Sequence, residues 1–300
     1  MLVKESELFL NYLTVERRFS KHTIISYQTD LLQFSNYIKN TYEIDEIKEV
    51  SHLYIRSWIV SLMESKIDAK SVNRKITTLR SFYKFLIKTE ALDKNPMLKI
   101  QAPKISKKLP EFLDEKKMDA LFDIMANDGK DYYQVRDFLI LDFFYRTGVR
   151  LSELIELKMP EVNLYNLTIT VTGKRNKVRQ IPISMSFRQA IEKYTVLRKE
   201  FLKSTGLDSQ YFFIENKGNK MYPVFVYRIV KANIKMVSTG KKKSPHVLRH
   251  TFATAMLNNG ADINAIKEIL GHSNLSATQI YTHNTIEKLK EVYKQAFPKA

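Results

Sequence analysis

The chain contains no cysteine, which excludes disulfides and thiolate metal sites. No apolar run reaches the ~18 residues of a membrane-span candidate, so no membrane partner is expected. The N-terminus, Met1-Leu2-Val3-Lys4-Glu5, passes straight into an amphipathic pattern and lacks a signal-peptide layout. Cytoplasmic residence is therefore the expectation. Internal repeats and low-complexity tracts are absent. Proline is scarce, eight in 300 residues, yet three of the eight fall between 95 and 110. Negative charge is also in deficit, with 32 acidic residues against 49 Lys and Arg and a formal net charge of +17.

That surplus is spread along the chain. Residues 1–110 carry 19 Lys and Arg against 12 Asp and Glu, and residues 111–300 carry 30 against 20. Both halves are cationic, as expected if both grip one polyanion, with nucleic acid the leading partner class. A length of 300 residues suggests two domains, and 44% hydrophobic residues is ordinary for a globular protein.

Up to about residue 100 the pattern is helical. Ile24, Tyr27, Leu31, Phe34 and Ile38 recur at steps of three and four, with Ser20 and Thr23 as candidate N-caps. Ile55, Trp58, Ile59 and Leu62 make a second stripe. Between Ser71 and Lys88 one face carries Val72, Ile76, Leu79, Phe82 and Leu86. The other carries Arg74, Thr77, Arg80, Lys84 and Lys88, which read equally well as a phosphate-contacting stripe and as a solvated helix face. Pro96, Pro103 and Pro110, with four lysines among them, preclude a continuous helix and read as a linker. The expected layout is a helical domain over 1–100, a linker over 101–112 and a second domain over 113–300.

The second domain opens helically near Asp114, a plausible N-cap. A long apolar helix from about Tyr132 to Tyr145 follows, with Gly148 suited to its C-cap. The period then changes. Residues 167–172 and 178–183 are β-branched and alternate, flanking Gly173-Lys174-Arg175-Asn176-Lys177 as a hairpin loop. Helices resume up to Leu289 and beyond. The fold class is mainly α with a small antiparallel sheet.

Four of the six histidines gather in the last third, near an arginine and a tyrosine. Ser244-Pro245 starts a helix, with the serine hydroxyl expected to cap it and proline in its first turn. His246 and Arg249 then share a face at its N-terminal end, which favours phosphate. The His246–His250 pair invites a metal, but Val247 stands where the zinc-protease motif needs glutamate, and Arg249 would repel a cation. Gly271 looks like a C-cap that leaves His272 on the following loop, and a short helix from Ser276 would carry Tyr281. Arg150 precedes Leu151-Ser152-Glu153-Leu154, with Ser152 a reasonable cap and Glu153 a reasonable partner. Each of these residues alone has an ordinary structural reading. Two arginines, a lysine and two histidines around one tyrosine would neutralise a phosphodiester, move its protons and attack it.

Together, Arg150, Lys174, His246-x-x-Arg249, His272 and Tyr281 resemble the active site of the tyrosine recombinase (phage-integrase-like) family. The chain is most similar there to the Xer recombinases of bacterial chromosomes. The likeness includes Ser20-x-x-Thr23-x-x-x-Tyr27-x-x-Asp30-Leu31, Thr147-Gly148-Val149-Arg150-Leu151-Ser152-Glu153-Leu154, His246 to Thr254, Leu270-Gly271-His272-Ser273 and Thr278 to His283. Two positions depart from the family pattern. Arg175 stands where glycine is common, so Asn176 would take any left-handed position, and Ala255 replaces a frequent histidine.

The resemblance implies a two-domain, C-shaped clamp: a helical core-binding (SAM-like) domain and a catalytic domain closing around duplex DNA. Tyr281 is the implied nucleophile, forming a 3′-phosphotyrosyl bond. Arg150 and Arg249 bind the non-bridging oxygens, Lys174 protonates the leaving 5′-oxygen, His246 accepts the tyrosine proton and His272 bonds the phosphoryl oxygen. Ser20, Thr23, Tyr27, Arg74, Arg80, Lys84, Arg175 and Lys177 are the implied DNA contacts. No cofactor, metal or ATP is implied. The implied partners are double-stranded DNA, three further recombinase protomers on two DNA sites (homo- or heterotetramer), a second Xer recombinase and a DNA translocase. The implied activity is resolution of chromosome dimers at a dif-like site. An integrase of a mobile element and a type IB topoisomerase-like strand transferase are the alternatives. Residues 287–300 resemble a segment that packs into a neighbouring protomer, with Leu289, Val292 and Tyr293 as anchors; a helix folded on its own domain is the other reading.

Overall fold

Two compact units, Met1–Lys108 and Leu109–Ala300, make up the chain. The computed structural model describes residues 2–105, 111–128, 131–173, 176–240, 242–271 and 283–296.

The first unit is built from α1 (Leu2–Val15), α2 (Lys21–Tyr42), α3 (His52–Glu64) and α4 (Ala69–Lys88). Ser20 caps α2, its hydroxyl accepting from the Thr23 amide at 3.3 Å. The three apolar stripes meet in one core with Phe9. One buried carboxylate ties α2 to α4: Asp30 accepts from Lys75 Nζ and from the Thr78 hydroxyl, both at 2.9 Å, and from Arg74. After α4 the chain stays with this unit for some distance. Met97 and Ile100 enter its core, Arg80 donates to the Ile100 carbonyl at 2.9 Å, and Asn73 donates to the Pro103 carbonyl at 2.9 Å.

In the second unit α5 (Glu115–Asp128) starts at Asp114, whose carboxylate accepts from the Lys117 amide at 2.9 Å. The apolar helix α6 (Tyr132–Thr147) is buried on nearly every side and is the centre of this core. A capping box of Asp131 and Gln134 begins it, and left-handed Gly148 ends it. After α7 (Leu151–Glu156) comes a three-stranded antiparallel sheet of β1 (Val162–Asn163), β2 (Thr168–Thr172) and β3 (Val178–Pro182), in that order. In the β2–β3 register Ile169 faces Ile181 and Thr172 faces Val178. The Gly173 amide closes the hairpin loop on the Lys177 carbonyl at 2.8 Å. Asn176 takes the left-handed conformation, φ 55°, as expected for a loop with arginine at 175. Strand β1, only two residues long, is too short to show a period.

Helices α8 (Met185–Thr205), α9 (Pro223–Val237), α10 (Pro245–Asn258), α11 (Ile263–Leu270) and α12 (His283–Ala296) complete the unit. Helices α8 and α10 pack on α6. Helix α12 lies against its own unit: Leu289, Tyr293 and Ala296 are buried there, the Tyr293 hydroxyl donates to the Arg146 carbonyl at 3.1 Å, and Asn259 donates to the Ala296 carbonyl at 2.8 Å. Of the two readings of this segment, residues 289–296 follow the one in which the helix folds on its own domain. No described helix is long and apolar enough to cross a membrane.

Candidate active site

Two stretches far apart in sequence, the α6–α7 junction and the end of α11, converge on the arginines. Helix α6 ends at Gly148, α7 begins after Arg150, and α11 ends at Gly271. The carbonyls at helix C-termini lack intrahelical partners and carry the negative end of the helix dipole. Guanidinium groups fill that need here. Arg249 donates to the Gly148 carbonyl and, at 2.7 Å, to the Leu270 carbonyl. Arg150 donates to the Gly271 carbonyl at 2.9 Å. Gly148 and Gly271 sit at φ 58° and 63°, a conformation that suits glycine. A Cβ on Gly148 would also stand 2.4 Å from Phe252 and 2.8 Å from Leu270. The seat of Arg249 therefore depends on a glycine for both conformation and space.

Glu153 holds the arginines from the other side. Its carboxylate accepts from the Arg150 amide and from Arg150 Nη1, both at 2.7 Å, and from Arg179 Nη1 and Nη2, both at 2.8 Å. Burial would raise its pKa, but the Arg179 and Arg150 bonds and charges outweigh burial and hold it down at about 2. Arg249 is buried, and that burial, followed by the charge of Arg150, lowers its guanidinium to about 10, still protonated at neutral pH. Arg150 keeps about a quarter of its side chain exposed, so a phosphate can reach it.

His246 projects from the first turn of α10, one turn before Arg249, and remains accessible. Partial burial, then the positive charges of Arg249, His250 and Arg150, lower its pKa below the ordinary 6.5. The imidazole is therefore neutral at pH 7 and can accept a proton. The helix start differs from expectation in one respect: Pro245 occupies the first turn, but the Ser244 hydroxyl makes no capping bond. A similar correction applies at α7, where the capping position is Arg150 and the side chain that serves it is Glu153, leaving Ser152 inside the first turn.

Lys174, Arg175, His272 and Tyr281 lie outside the described residues, as does the short helix expected from Ser276. Gly173, which precedes Lys174, and Gly271, which precedes His272, are described, and both border the arginine cluster. A Cβ on Gly173 would stand 3.3 Å from Glu153 Oε1 and 3.6 Å from Arg150 Nη1. Gly271, the residue before His272, carries the carbonyl that receives Arg150.

The expected DNA contacts divide between the units. Arg74, Thr77, Arg80, Lys84 and Lys88 form one exposed face of α4, although Arg74 also pairs with Asp30 and Arg80 with the Ile100 carbonyl. Ser20 is exposed, while Thr23 and Tyr27 are half-buried, with Tyr27 between the rings of Phe9 and Phe19. Lys177 is exposed beside the hairpin. Sequence reasoning missed Arg179 altogether. A signal was present: strand alternation sets Arg179 on the same face as Ile181, and a charge at an inward strand position calls for a buried partner.

Comparison with known proteins agrees with this geometry. Residues 111–288 match the phage integrase family, and residues 7–90 match the phage integrase N-terminal SAM-like domain. The tyrosine recombinase XerC of Pediococcus pentosaceus is 37% identical, across 98% of this chain and 97% of the relative. The tyrosine recombinase XerC of Chlorobaculum parvum is 35% identical, across 98% and 94%. Among solved structures, the XerH site-specific recombinase bound to a palindromic difH substrate superposes with a TM-score of 0.72 at 21% identity, covering 96% of this chain and 84% of that one. The Tn1549 transposon integrase in complex with transposon right end DNA gives 0.73 at 19%, covering 96% and 98%. With a matched family domain over most of its length and relatives of this identity end to end, the chain belongs to the phage integrase family and is a tyrosine recombinase.

Proposed function

We propose that this chain is a site-specific DNA recombinase of the Xer type, acting on duplex DNA in the cytoplasm to resolve chromosome dimers at a dif-like site. One observation carries the chemistry: two guanidiniums, Arg150 and Arg249, are seated on adjacent helix ends beside a neutral His246. Such a site is built to bind the non-bridging oxygens of one phosphodiester and to stabilise the charge of its five-coordinate state. Tyr281 attacks phosphorus and passes its proton to His246. The bond to the 5′-oxygen breaks, and Lys174 supplies the proton for that leaving group. His272 bonds the phosphoryl oxygen. The phosphotyrosyl bond is then attacked by the 5′-hydroxyl of a partner strand, which reverses each transfer.

The named functions of the relatives, together with end-to-end likeness, favour the Xer role over a mobile-element integrase. Strand exchange calls for four protomers on two sites. A second recombinase and a DNA translocase complete the proposed assembly.

The test begins by mapping DNA covalently attached to the chain across its genome. A single locus near the replication terminus supports dimer resolution, and attachment at element ends supports integration instead. A nicked duplex carrying the mapped site then traps the adduct. Tyr281→Phe is expected to bind this duplex and form no adduct. Tyr293→Phe is expected to form it, since the Tyr293 hydroxyl is buried on the Arg146 carbonyl. An adduct from the Tyr281 variant would sink the nucleophile assignment.

A further inference from the structure

Arg150 rests on two anchors that come from different parts of the chain. One is the Glu153 carboxylate on α7, at 2.7 Å, and the other is the Gly271 carbonyl just beyond α11, at 2.9 Å. The direction of its guanidinium is set by where these two atoms lie relative to each other. A single side chain grips both sides. Arg179, from β3, donates through Nη1 and Nη2 to the two oxygens of Glu153, and through Nε to the Ile269 carbonyl at 2.6 Å. It also lies flat against Gly271, where an added Cβ would stand 3.2 Å from Arg179 Cδ and Nη1. The planar guanidinium alone among side chains offers a two-pronged fork for a carboxylate and a further N–H in the same plane.

We propose that Arg179 is a positioning residue for DNA cleavage: it fixes the two anchors of Arg150 in one geometry and thereby aims the Arg150 guanidinium at the scissile phosphate. The proposal rests on the reading of Arg150 as a phosphate ligand given above. Arg179 itself cannot be that ligand, because only 4% of its side chain is exposed and its three donor nitrogens are already engaged. Arg150, at 24% exposed, is the group the substrate meets. A misplacement of about 1 Å at a reacting centre costs on the order of 10²-fold in rate, so freeing one of the two anchors has a kinetic consequence even when the fold survives.

The test is a double-mutant cycle in the full chain, read as single-turnover attachment to the nicked duplex at saturating DNA. Rate constant and end-point are recorded separately, because loss of folded protein lowers the end-point and misalignment lowers the rate constant. Arg179→Ala is expected to slow attachment by about 10- to 100-fold while DNA affinity and end-point are kept. Arg150→Lys is expected to be slow, since an ammonium cannot span both anchors. The double variant Arg150→Lys/Arg179→Ala is expected to be no slower than Arg150→Lys within about twofold, because Arg179 then has nothing left to aim. A wild-type rate constant for Arg179→Ala, or a fall in end-point alone, overturns the proposal, as do losses that multiply in the double variant. A wild-type rate for Arg150→Lys overturns the phosphate-ligand reading and this proposal with it. Slow Arg150→Lys beside fast Arg179→Ala overturns the proposal alone. Where Arg179→Ala yields no folded protein, Arg179→Lys replaces it in the cycle, and a wild-type rate constant for that variant is equally decisive against the proposal.

Discussion

Glu153 is one buried carboxylate serving four donors, and its chemistry sets a measurable pH dependence. Its folded pKa of about 2 lies below the ordinary value of 4.5, so the charged form is the one the fold stabilises. The contribution is complete above about pH 4.5 and is lost as pH falls toward 2; a shift of this size corresponds to roughly 3 kcal/mol. Glu153→Gln is therefore expected to lower stability by about that amount at pH 7 in urea denaturation. The gap to the parent protein is expected to close as pH drops from 4.5 to 2. A gap that stays constant with pH would show that shape, not charge, is what the carboxylate supplies. At this scale the sequence was informative where function leaves a local trace. Arg150 and Arg249 stood out because each lies at a helix start flanked by residues of distinctive type. Arg179 and Lys75 did not, because their carboxylate partners lie 26 and 45 residues away, and a pairing of that kind is decided by the fold.

Helices and strands were legible in proportion to their length and amphipathicity. The stripes of α2, α3 and α4 and the alternation of β2 and β3 emerge where the pattern places them, and left-handed Asn176 follows from the composition of its loop. Caps were less secure. Ser152 and Ser244 have the composition of capping residues, yet Glu153 caps α7 and the Ser244 hydroxyl makes no capping bond. At α7 the local bonding is dictated by Arg150, whose amide and guanidinium both donate to Glu153. The junction of α6 with the site yields a further expectation. Gly148→Ala places a methyl group against the ring of Phe252 in a left-handed conformation. The conformation alone costs about 1–2 kcal/mol, and overpacking adds about 1–3 kcal/mol. A loss of roughly 2–5 kcal/mol in thermal or urea denaturation is expected. Cleavage is expected to slow as well, because the Gly148 carbonyl that seats Arg249 must move. Full activity in a stably folded Gly148→Ala variant would contradict the seating of Arg249 described above.

Across the whole molecule, the positive surplus is divided between two units that each possess a core of their own. If both bind DNA, each releases counterions, and affinity falls with salt in proportion to the phosphates neutralised. Residues 109–300 alone are expected to bind duplex DNA more weakly, with a salt dependence shallower by about 0.9 in log–log slope for every phosphate that the first unit no longer neutralises. An unchanged slope would assign all the phosphate binding to the second unit and leave the exposed face of α4 as an ordinary solvated surface. The same surplus recurs in miniature at the arginine cluster. Among the described residues there, Arg150, Arg179 and Arg249 are three positive charges against the one negative charge of Glu153. A phosphodiester brings one negative charge, and its five-coordinate form bears two. On the proposed reading, the second charge develops on the phosphoryl oxygens as the Tyr281 proton moves to His246, so negative charge is most concentrated opposite the arginines while phosphorus has five neighbours. The fixed positive field of the cluster therefore attracts the fleeting species more strongly than the intact strand, and that difference lowers the barrier between them.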